Sequence, residues 1–263
     1  MLECVINVSE GRNRFAIRRI ADAGGACLLD VHSDPHHNRS VLTLAGNGVE
    51  VAARAVAAEA VRCIDLRLHV GVHPRVGAVD VVPFVPLAGS SMDGALAARD
   101  RFAAWAGEDL GVPCFLYGPE RSLPDVRRHA FGGLAPDTGP AVAHPTAGAI
   151  CVGARPLLVA YNVWLEAGVP VAIARQVARE IRGPGIRALG LDVGGRAQVS
   201  MNLVDPERQT PADAYDAVAA RAPIDRAELV GLVPPAVLDA IPPARWAELS
   251  LSADQSLPPD LLR

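Results

Sequence analysis

The sequence predicts a mixed α/β protein built from two tandem units of the same kind. Three observations lead to this class. Strand-like and helix-like runs alternate along the 263 residues, their order recurs in the second half, and a segment dense in glycine and proline lies between the halves. Half of the residues are hydrophobic and 21% are charged, so the chain can bury a core in each half.

The first half begins with the order strand, helix, strand, strand, helix, strand. Strands are predicted where β-branched and apolar residues run together, and helices where apolar residues recur at a helical spacing. In chain order these elements are LECVINV, a helix at about 12–23, ACLLDVH, RSVLTLAG, a helix at about 49–63 and AVDVVPFVPL. A further helix is predicted at about 92–108, and the strand VPCFLYG follows it.

The second half repeats that order. Its elements are RPLLVAYNVWLE, the helix VAIARQVAREIR, the strands IRALGLDV and AQVSMNLV around a Gly194–Gly195 turn, the helix ADAYDAVAARA and the strand AELVGLVP. The order β-α-β-β-α-β is that of the ferredoxin-like unit. We therefore predict two ferredoxin-like subdomains, residues 1–150 and 151–263, with a boundary near 148–155.

Charge and composition argue against several classes of partner. The formal net charge of −4 provides no basic face for nucleic acid or anionic lipid, and no apolar run has the length of a membrane-spanning helix. The start, MLECVINVSEGRN, lacks the basic and apolar regions of a signal peptide, and the five scattered cysteines suit reduced, buried side chains. We therefore expect a cytoplasmic protein that acts on small molecules.

The basic residues also limit the chemistry. The sequence contains no lysine, so all 25 basic residues are arginines, and a Schiff-base or P-loop lysine is excluded. The G-x-S-x-G and G-x-G-x-x-G motifs are absent as well. An anionic ligand must meet arginine, histidine or backbone amides, and histidine is the simplest remaining proton carrier.

Two histidines lie four residues apart in HVGVHPRVGAVD, residues 69–80. That spacing would place two ligands on one face of a helix, but the glycines and the proline argue against a helix. The stretch is predicted to be a loop leading into a strand, where polar residues are often functional. His69 and His73 are the candidates in this loop.

A second histidine group, His32, His36 and His37, lies in DVHSDPHHNR between two strands. With Asp30 and Asp34 these side chains could supply metal ligands, but their spacing matches no closed zinc pattern. The stretch also suits a turn made of Ser, Asp, Pro and Asn. We predict no metal, with metal binding at this turn as the alternative.

Eight segments, in order along nearly the whole chain, carry a resemblance. They are ECVINVSEGRN, NRSVLTLAG, GVHPRVGAVDVVPFVPL, VPCFLYG, DTGP, GARPLLVAYNVWL, QVSMNLVD and LVGLVP. Together they resemble the formiminotransferase family of glutamate formimidoyltransferases. The resemblance implies transfer of the formimino group from N-formimino-L-glutamate to N5 of tetrahydrofolate, a step of histidine degradation. It also implies a homodimer and a folate cleft between two ferredoxin-like subdomains.

The resemblance also implies roles for individual residues. The histidine of the family's H-P-R motif is the catalytic acid/base, and here it is His73. The family's folate-binding stretch aligns with GPAVAHPTAG, residues 139–148. The folate-binding residues implied there are Gly139, Pro140, His144, Pro145, Thr146 and Gly148.

Arginines suit the carboxylates of glutamate and folate, because the guanidinium fork binds a carboxylate through two hydrogen bonds. Arg39 and Arg75 are the candidates, and an ion pair or a loop-stapling contact is the alternative for each. Asn38 is a candidate for binding the substrate or for forming a turn. His32 and His69 are expected to influence His73 without contacting the substrate themselves.

Two positions depart from the family pattern. The animal enzymes have glutamate immediately before the catalytic histidine and aspartate after the L-L-D-V strand, where this chain has Val72 and His32. Either the same reaction uses rearranged contacts, or the protein moves another one-carbon group such as formyl. A folate-binding protein without catalysis is the remaining alternative, and the retained His73-Pro74-Arg75 sequence argues for an enzyme.

Overall fold

The computed structural model describes residues 1–72 and 74–262. The chain divides into two compact units, the first containing residues 1–156 together with the chain end from Leu261, and the second containing residues 157–260. Each unit holds a β-sheet and helices, so the predicted mixed α/β class is confirmed. Within the described residues, no helix has the length and hydropathy needed to cross a membrane.

The first unit contains a six-stranded sheet in the order β2-β3-β1-β4-β6-β5. The pairs β2–β3, β3–β1 and β1–β4 are antiparallel, whereas β6 is parallel to both of its neighbours, β4 and β5. The elements are β1 (Leu2–Val8), α1 (Arg14–Asp22), β2 (Leu28–Asp34), β3 (Arg39–Gly46), α2 (Val49–Cys63), β4 (Val79–Pro86), α3 (Met92–Asp109), β5 (Cys114–Tyr117), α4 (Leu123–His129) and β6 (Ile150–Ala154).

The two faces of this sheet differ in polarity. Cys4, Ile6 and Val8 alternate along β1 and are fully buried in the core formed with α1, α2 and α3. The residues between them point to the opposite face, where Asn7 pairs with Val41 of β3. Because Val41 pairs in turn with His32 of β2, the side chains of Asn7 and His32 share that second face.

The second unit contains a four-stranded antiparallel sheet in the order β10-β7-β9-β8. Gly194 and Gly195 join β8 to β9 and both have positive φ angles, which a two-residue hairpin turn requires. The elements are β7 (Val159–Leu165), α5 (Val171–Ile181), β8 (Ile186–Val193), β9 (Arg196–Leu203), α6 (Pro211–Ala219), β10 (Ile224–Val230) and α7 (Pro235–Asp239). Each unit therefore opens with β-α-β-β-α-β, while the ferredoxin-like assignment stays a prediction.

Three of these elements, β6, α4 and α7, were not anticipated from the sequence. The strand β6 is short, buried on both faces and without alternation, so it carries no period-two signal. The helix α4 lies in the segment rich in glycine and proline that was expected to be irregular. Ser122 caps it through its side chain, which accepts from the Asp125 amide.

The two ends of the described chain meet at one residue of the first unit. The Met1 amino group donates to the Ala88 carbonyl at 2.6 Å, and the Ala88 amide donates to the Leu261 carbonyl at 3.2 Å. Residues 1 and 261 are therefore tied to the same loop, although they are far apart in sequence.

Candidate functional site

Loops of the first unit gather at one edge of its sheet. Val8, the last residue of β1, pairs with Ser40 at the start of β3 and with Val79 at the start of β4. Antiparallel pairing therefore brings the loop after β1, the β2–β3 turn and the loop before β4 to the same edge. With the stretch before β6, these segments form what we call the loop cluster: residues 9–13, 33–40, 65–72, 74–78 and 144–149.

Backbone hydrogen bonds hold the loop cluster together. The Ser9 amide donates to the Ala78 carbonyl at 2.8 Å, and the Ala78 amide donates to the Ala147 carbonyl at 2.9 Å. Gly77 lies so close to Ala149 that a Cβ at position 77 would stand 1.9 Å from the Ala149 carbonyl oxygen. The segment expected to bind folate and the histidine loop therefore lie against each other, main chain on main chain.

The β2–β3 turn is organised by a buried carboxylate. One oxygen of Asp34 accepts from the amides of His36 and His37 at 2.7 and 2.9 Å, and the other lies 2.7 Å from Nδ1 of His37. Burial alone raises the pKa of Asp34, but the hydrogen bonds and charge of His37 outweigh it, so the pKa falls well below its usual range. Because Asp34 is then anionic, Nδ1 of His37 is the donor.

Asn38 joins three segments of the loop cluster. It has a φ of 51°, and its side-chain oxygen accepts from the Gly11 amide at 2.9 Å. Its side-chain nitrogen donates to the Val70 carbonyl at 3.0 Å. Asn38 therefore forms a turn, which is one of the two roles expected for it. Its contact with substrate stays a prediction.

His69 is held by the same turn. Its Nε2 donates to the Asn38 carbonyl at 2.9 Å, while its Nδ1 is buried without a partner among the described residues. Burial lowers the pKa of His69, and the charge of Arg75 lowers it further, against the effect of the bond to Asn38. His69 is therefore neutral at neutral pH and supports the loop.

Arg75 folds back over the loop in which it lies. Its guanidinium group donates to the Gly71 carbonyl at 3.0 Å and to the His69 carbonyl at 3.4 Å. A Cβ at Gly71 would stand 2.5 Å from the carbonyl oxygen of His37, so this loop packs tightly on the β2–β3 turn. His73, the predicted catalytic residue, lies outside the described residues.

The predicted folate-binding stretch makes two separate sets of contacts. Nδ1 of His144 accepts from the Thr146 and Ala147 amides at 3.3 and 3.0 Å, so the ring proton of its neutral form is on Nε2. Thr146 also accepts from the Leu66 amide at 2.8 Å, and Gly148 forms a bridge with Gly77. Pro145, between His144 and Thr146, is exposed.

Gly139 and Pro140 lie elsewhere along this stretch. A Cβ at Gly139 would stand 3.0 Å from Cα of Gly107 in α3 and 3.1 Å from Cα of Pro113. Both residues are exposed, and the contacts that the structure gives Gly139 are with α3 and the start of β5 rather than with the loop cluster.

His32 and Arg39 occupy neighbouring strands. His32 is partly buried on the second face of the sheet, and its charge opposes the burial that raises the pKa of Asp30. Arg39 begins β3 opposite Asp34, and its charge acts on the carboxyl group of Asp80. Among the described residues, no three histidine, cysteine or carboxylate side chains are placed to hold a metal ion.

Sequence reasoning missed a second buried carboxylate, Asp80. It is 1% exposed, accepts from the Val76 amide at 2.8 Å and forms an ion pair with Arg127 of α4. Burial raises its pKa, and the charges of Arg127 and Arg39 oppose that rise. The signal available was a single acidic residue inside the apolar run AVDVVPFVPL, which demands a partner; nothing in the sequence identified that partner.

The fold and the loop cluster define a two-unit α/β protein that gathers imidazoles, guanidinium groups and buried carboxylates at one sheet edge, a set suited to proton transfer on an anionic substrate.

Comparison with known proteins narrows this class. Residues 1–155 match the sequence model of the formiminotransferase domain, N-terminal subdomain. The chain is 36% identical to the glutamate formimidoyltransferase of Streptococcus pyogenes serotype M1 over 89% of each chain. It is 35% identical to the glutamate formimidoyltransferase of Thermoplasma acidophilum over 89% of this chain and 88% of that protein. The chain therefore belongs to the formiminotransferase family, which confirms the resemblance drawn from the sequence.

Longer relatives exist as well. The chain is 37% identical to the formimidoyltransferase-cyclodeaminase of Sus scrofa, over 91% of this chain and 51% of that protein. The chain thus spans about half the length of this relative.

Proposed function

We propose that the protein transfers the formimino group of N-formimino-L-glutamate to N5 of tetrahydrofolate and releases glutamate. One observation carries this proposal. Relatives named glutamate formimidoyltransferase share 35–36% identity with the chain over nearly nine tenths of both sequences. Tetrahydrofolate is the co-substrate in this proposal, and the active species is a homodimer in the cytoplasm.

The reaction needs one group that both accepts and donates a proton. Attack of N5 on the amidine carbon gives a tetrahedral intermediate, from which N5 loses a proton while the departing glutamate nitrogen gains one. A histidine with an ordinary pKa of about 6.5 can carry out both transfers in turn. We assign this role to His73, because Nε2 of its loop neighbour His69 is committed to the Asn38 carbonyl.

The other charged groups suit the two anionic reactants. Arg39 and Arg75 are assigned to the carboxylates, since a guanidinium group can bind a carboxylate with two hydrogen bonds. In Arg75 the same group also bonds the Gly71 and His69 carbonyls, so a substrate carboxylate would share it with the loop. His144 is assigned as a fixed donor to folate, because two backbone amides occupy its Nδ1 and leave the proton on Nε2. Pro145, Thr146 and Gly148 form the backbone turn beside it.

Turnover of N-formimino-L-glutamate with tetrahydrofolate tests the proposal, comparing the wild type with His73→Ala. We expect the variant to lose about 10²- to 10⁴-fold in kcat, the usual contribution of a general acid/base. His36→Ala is the matched control, because His36 is an exposed histidine of the β2–β3 turn whose ring makes no bond in the described structure. A wild type that binds tetrahydrofolate without turning over the formimino substrate would contradict the assignment.

The exposed side chain of Val72 favours one alternative, a different one-carbon donor. Val72 is 55% exposed and supplies no charge next to His73, where the animal enzymes have glutamate. N-formyl-L-glutamate should be assayed in parallel with the formimino substrate, in the wild type and in Val72→Glu. The formyl donor would be favoured if the wild type transferred formyl faster than formimino groups. The Val72→Glu variant should then show the opposite preference.

A further inference from the structure

The HSDPHHN turn contains two adjacent histidines with opposite environments. His36 is exposed and contributes its backbone amide to Asp34, whereas His37 is 3% exposed and bonds Asp34 with both its amide and its ring. Asp34 is itself 9% exposed, so the pair is almost fully removed from water. An unpaired buried carboxylate would destabilise the fold, so the three donors are needed to keep Asp34 in this position.

The pair is connected to the loop of the proposed catalytic residue. The residue after His37 is Asn38, which bonds the Gly11 amide, the Val70 carbonyl and the ring of His69. Asn38 keeps a positive φ of 51°, which is unusual for a residue other than glycine and must be held by its surroundings. The carbonyl of His37 itself lies against Gly71, where there is no room for a Cβ.

We propose that Asp34 and His37 are a positioning pair for this site. The Asp34 carboxylate fixes the ring of His37 with its proton on Nδ1, and the pair holds the β2–β3 turn in the one conformation against which residues 69–71 pack. The pair thereby positions the loop that carries Arg75 and the proposed catalytic residue, without touching the substrate. The inference rests on the proposed function for its catalytic consequence, but the coupling between turn and loop does not depend on that function.

The contacts of the pair also bear on the alternative metal reading of the turn. Both oxygens of Asp34 are occupied by donors from His36 and His37. A metal ion would have to displace the ring of His37 and break these bonds. Charged groups beside the turn include Arg12, whose guanidinium group donates to the Pro35 carbonyl at 2.7 Å, and Arg39, whose backbone lies opposite that of Asp34 in the β2–β3 ladder.

The first test uses the intact protein and four variants. His37→Ala removes the ring, and His37→Asn keeps an N–H donor near the place of Nδ1. Asp34→Asn removes the charge and replaces one of the two acceptor oxygens by an NH2 donor, which can face Nδ1 of His37. His36→Ala is the control. The readouts are kcat and KM, the ¹⁵N shifts of the histidine ring nitrogens, and hydrogen exchange at the Gly11 amide, which bonds the Asn38 side chain.

We expect His37→Ala to lower kcat by about 10²-fold with little change in KM, the size of effect that follows from misplacing a catalytic group. His37→Asn should recover at least part of the loss, and His36→Ala should match the wild type. Asp34→Asn should move the proton of the neutral His37 ring from Nδ1 to Nε2. The Gly11 amide should exchange faster in His37→Ala and regain protection in His37→Asn.

A folded His37→Ala variant with wild-type kcat and unchanged Gly11 exchange would overturn the proposal. A His37→Asn variant that is as inactive as His37→Ala would also count against it. If the wild type itself shows no formimino transfer, the proposed function fails, but the ring shifts and the exchange of Gly11 still decide whether the pair holds the turn.

Discussion

Glu3 carries a carboxyl group that is buried inside strand β1. The residue is 4% exposed and lies on the face of the sheet opposite to α1, α2 and α3. Burial raises the pKa of Glu3 to about 7, although the charge of Arg155 opposes the rise. A group that binds its proton more tightly in the folded state makes stability depend on pH.

Glu3→Gln should remove that dependence. With its pKa raised from 4.5 to about 7, Glu3 favours the folded state fully below about pH 4.5 and loses this contribution as pH rises through 7. The neutral variant should therefore have a free energy of unfolding at pH 8 that is roughly 1–3 kcal/mol above the wild type, and no advantage at pH 4. Urea unfolding across this range measures it.

Glu108→Gln is the control for this measurement, because Glu108 is an exposed glutamate of α3. Its free energy of unfolding should follow the wild type at every pH. A Glu3→Gln variant that differs from the wild type by the same amount at pH 4 and pH 8 would show that the carboxyl group does not titrate between them.

The histidines illustrate how far residue roles could be predicted. Sequence analysis selected the HSDPHHN turn, but it could not tell exposed His36 from buried His37, because a one-residue step decides which side chain faces Asp34. The tautomer of His144 likewise depends on two backbone amides, those of Thr146 and Ala147, that donate to its Nδ1. Composition identifies such groups, while hydrogen-bond geometry assigns their chemistry.

At the scale of elements, the loop cluster depends on the close approach of the segments that lead into β4 and β6. Gly77 precedes β4 and bridges to Gly148, which precedes β6 and has a φ of 69°. Because neither glycine has a side chain, the two backbones can pack directly on each other just before the strands begin. The predicted loop 69–80 thus has a physical reason for its second glycine.

Gly77→Ala should disturb this junction. The new methyl group would stand 1.9 Å from the Ala149 carbonyl oxygen and 2.8 Å from that of Val79, and neither is a flexible side chain. We expect a loss of about 1–3 kcal/mol or more in the free energy of unfolding, the usual range for overpacking. Gly133→Ala is the matched control because nothing lies within 4 Å of its Cβ position, and it should unfold like the wild type.

The elements themselves were largely predictable where periodicity was strong. The helix expected at about 92–108 is α3, Met92–Asp109, and the strand expected at AVDVVPFVPL is β4, Val79–Pro86. The sequence contained no comparable signal for β6, whose five residues are all buried. A short strand that is covered on both faces is specified by its neighbours in the sheet, which are distant along the chain.

At the scale of the whole molecule, each unit has its own core. The second unit buries Tyr161, Met201 and Leu203 in a cluster drawn from its own strands and helices. The repeated order of elements was predictable from the alternation of hydrophobic patterns. The allocation of β6 to the first sheet was not, because parallel pairing joins residues far apart in sequence.

Met201→Ala should loosen the second unit in particular. The side chain is 2% exposed, and its truncation should remove roughly 2–5 kcal/mol from the stability of that core. Hydrogen exchange should quicken mainly at amides within residues 157–260. Leu189→Ala, at a 55% exposed position of the neighbouring strand β8, should leave exchange near the wild-type level. Equal quickening in both units would contradict separate cores.

The bond between Ala88 and Leu261 joins two stretches of chain that the first unit contains but that are not continuous in sequence. Residues 157–260, which form the second unit, lie between these two stretches along the chain. The Ala88 amide donates to the Leu261 carbonyl at 3.2 Å, so completing the first unit closes a loop of chain that includes the whole second unit. The second unit is, in this sense, an insertion into the first.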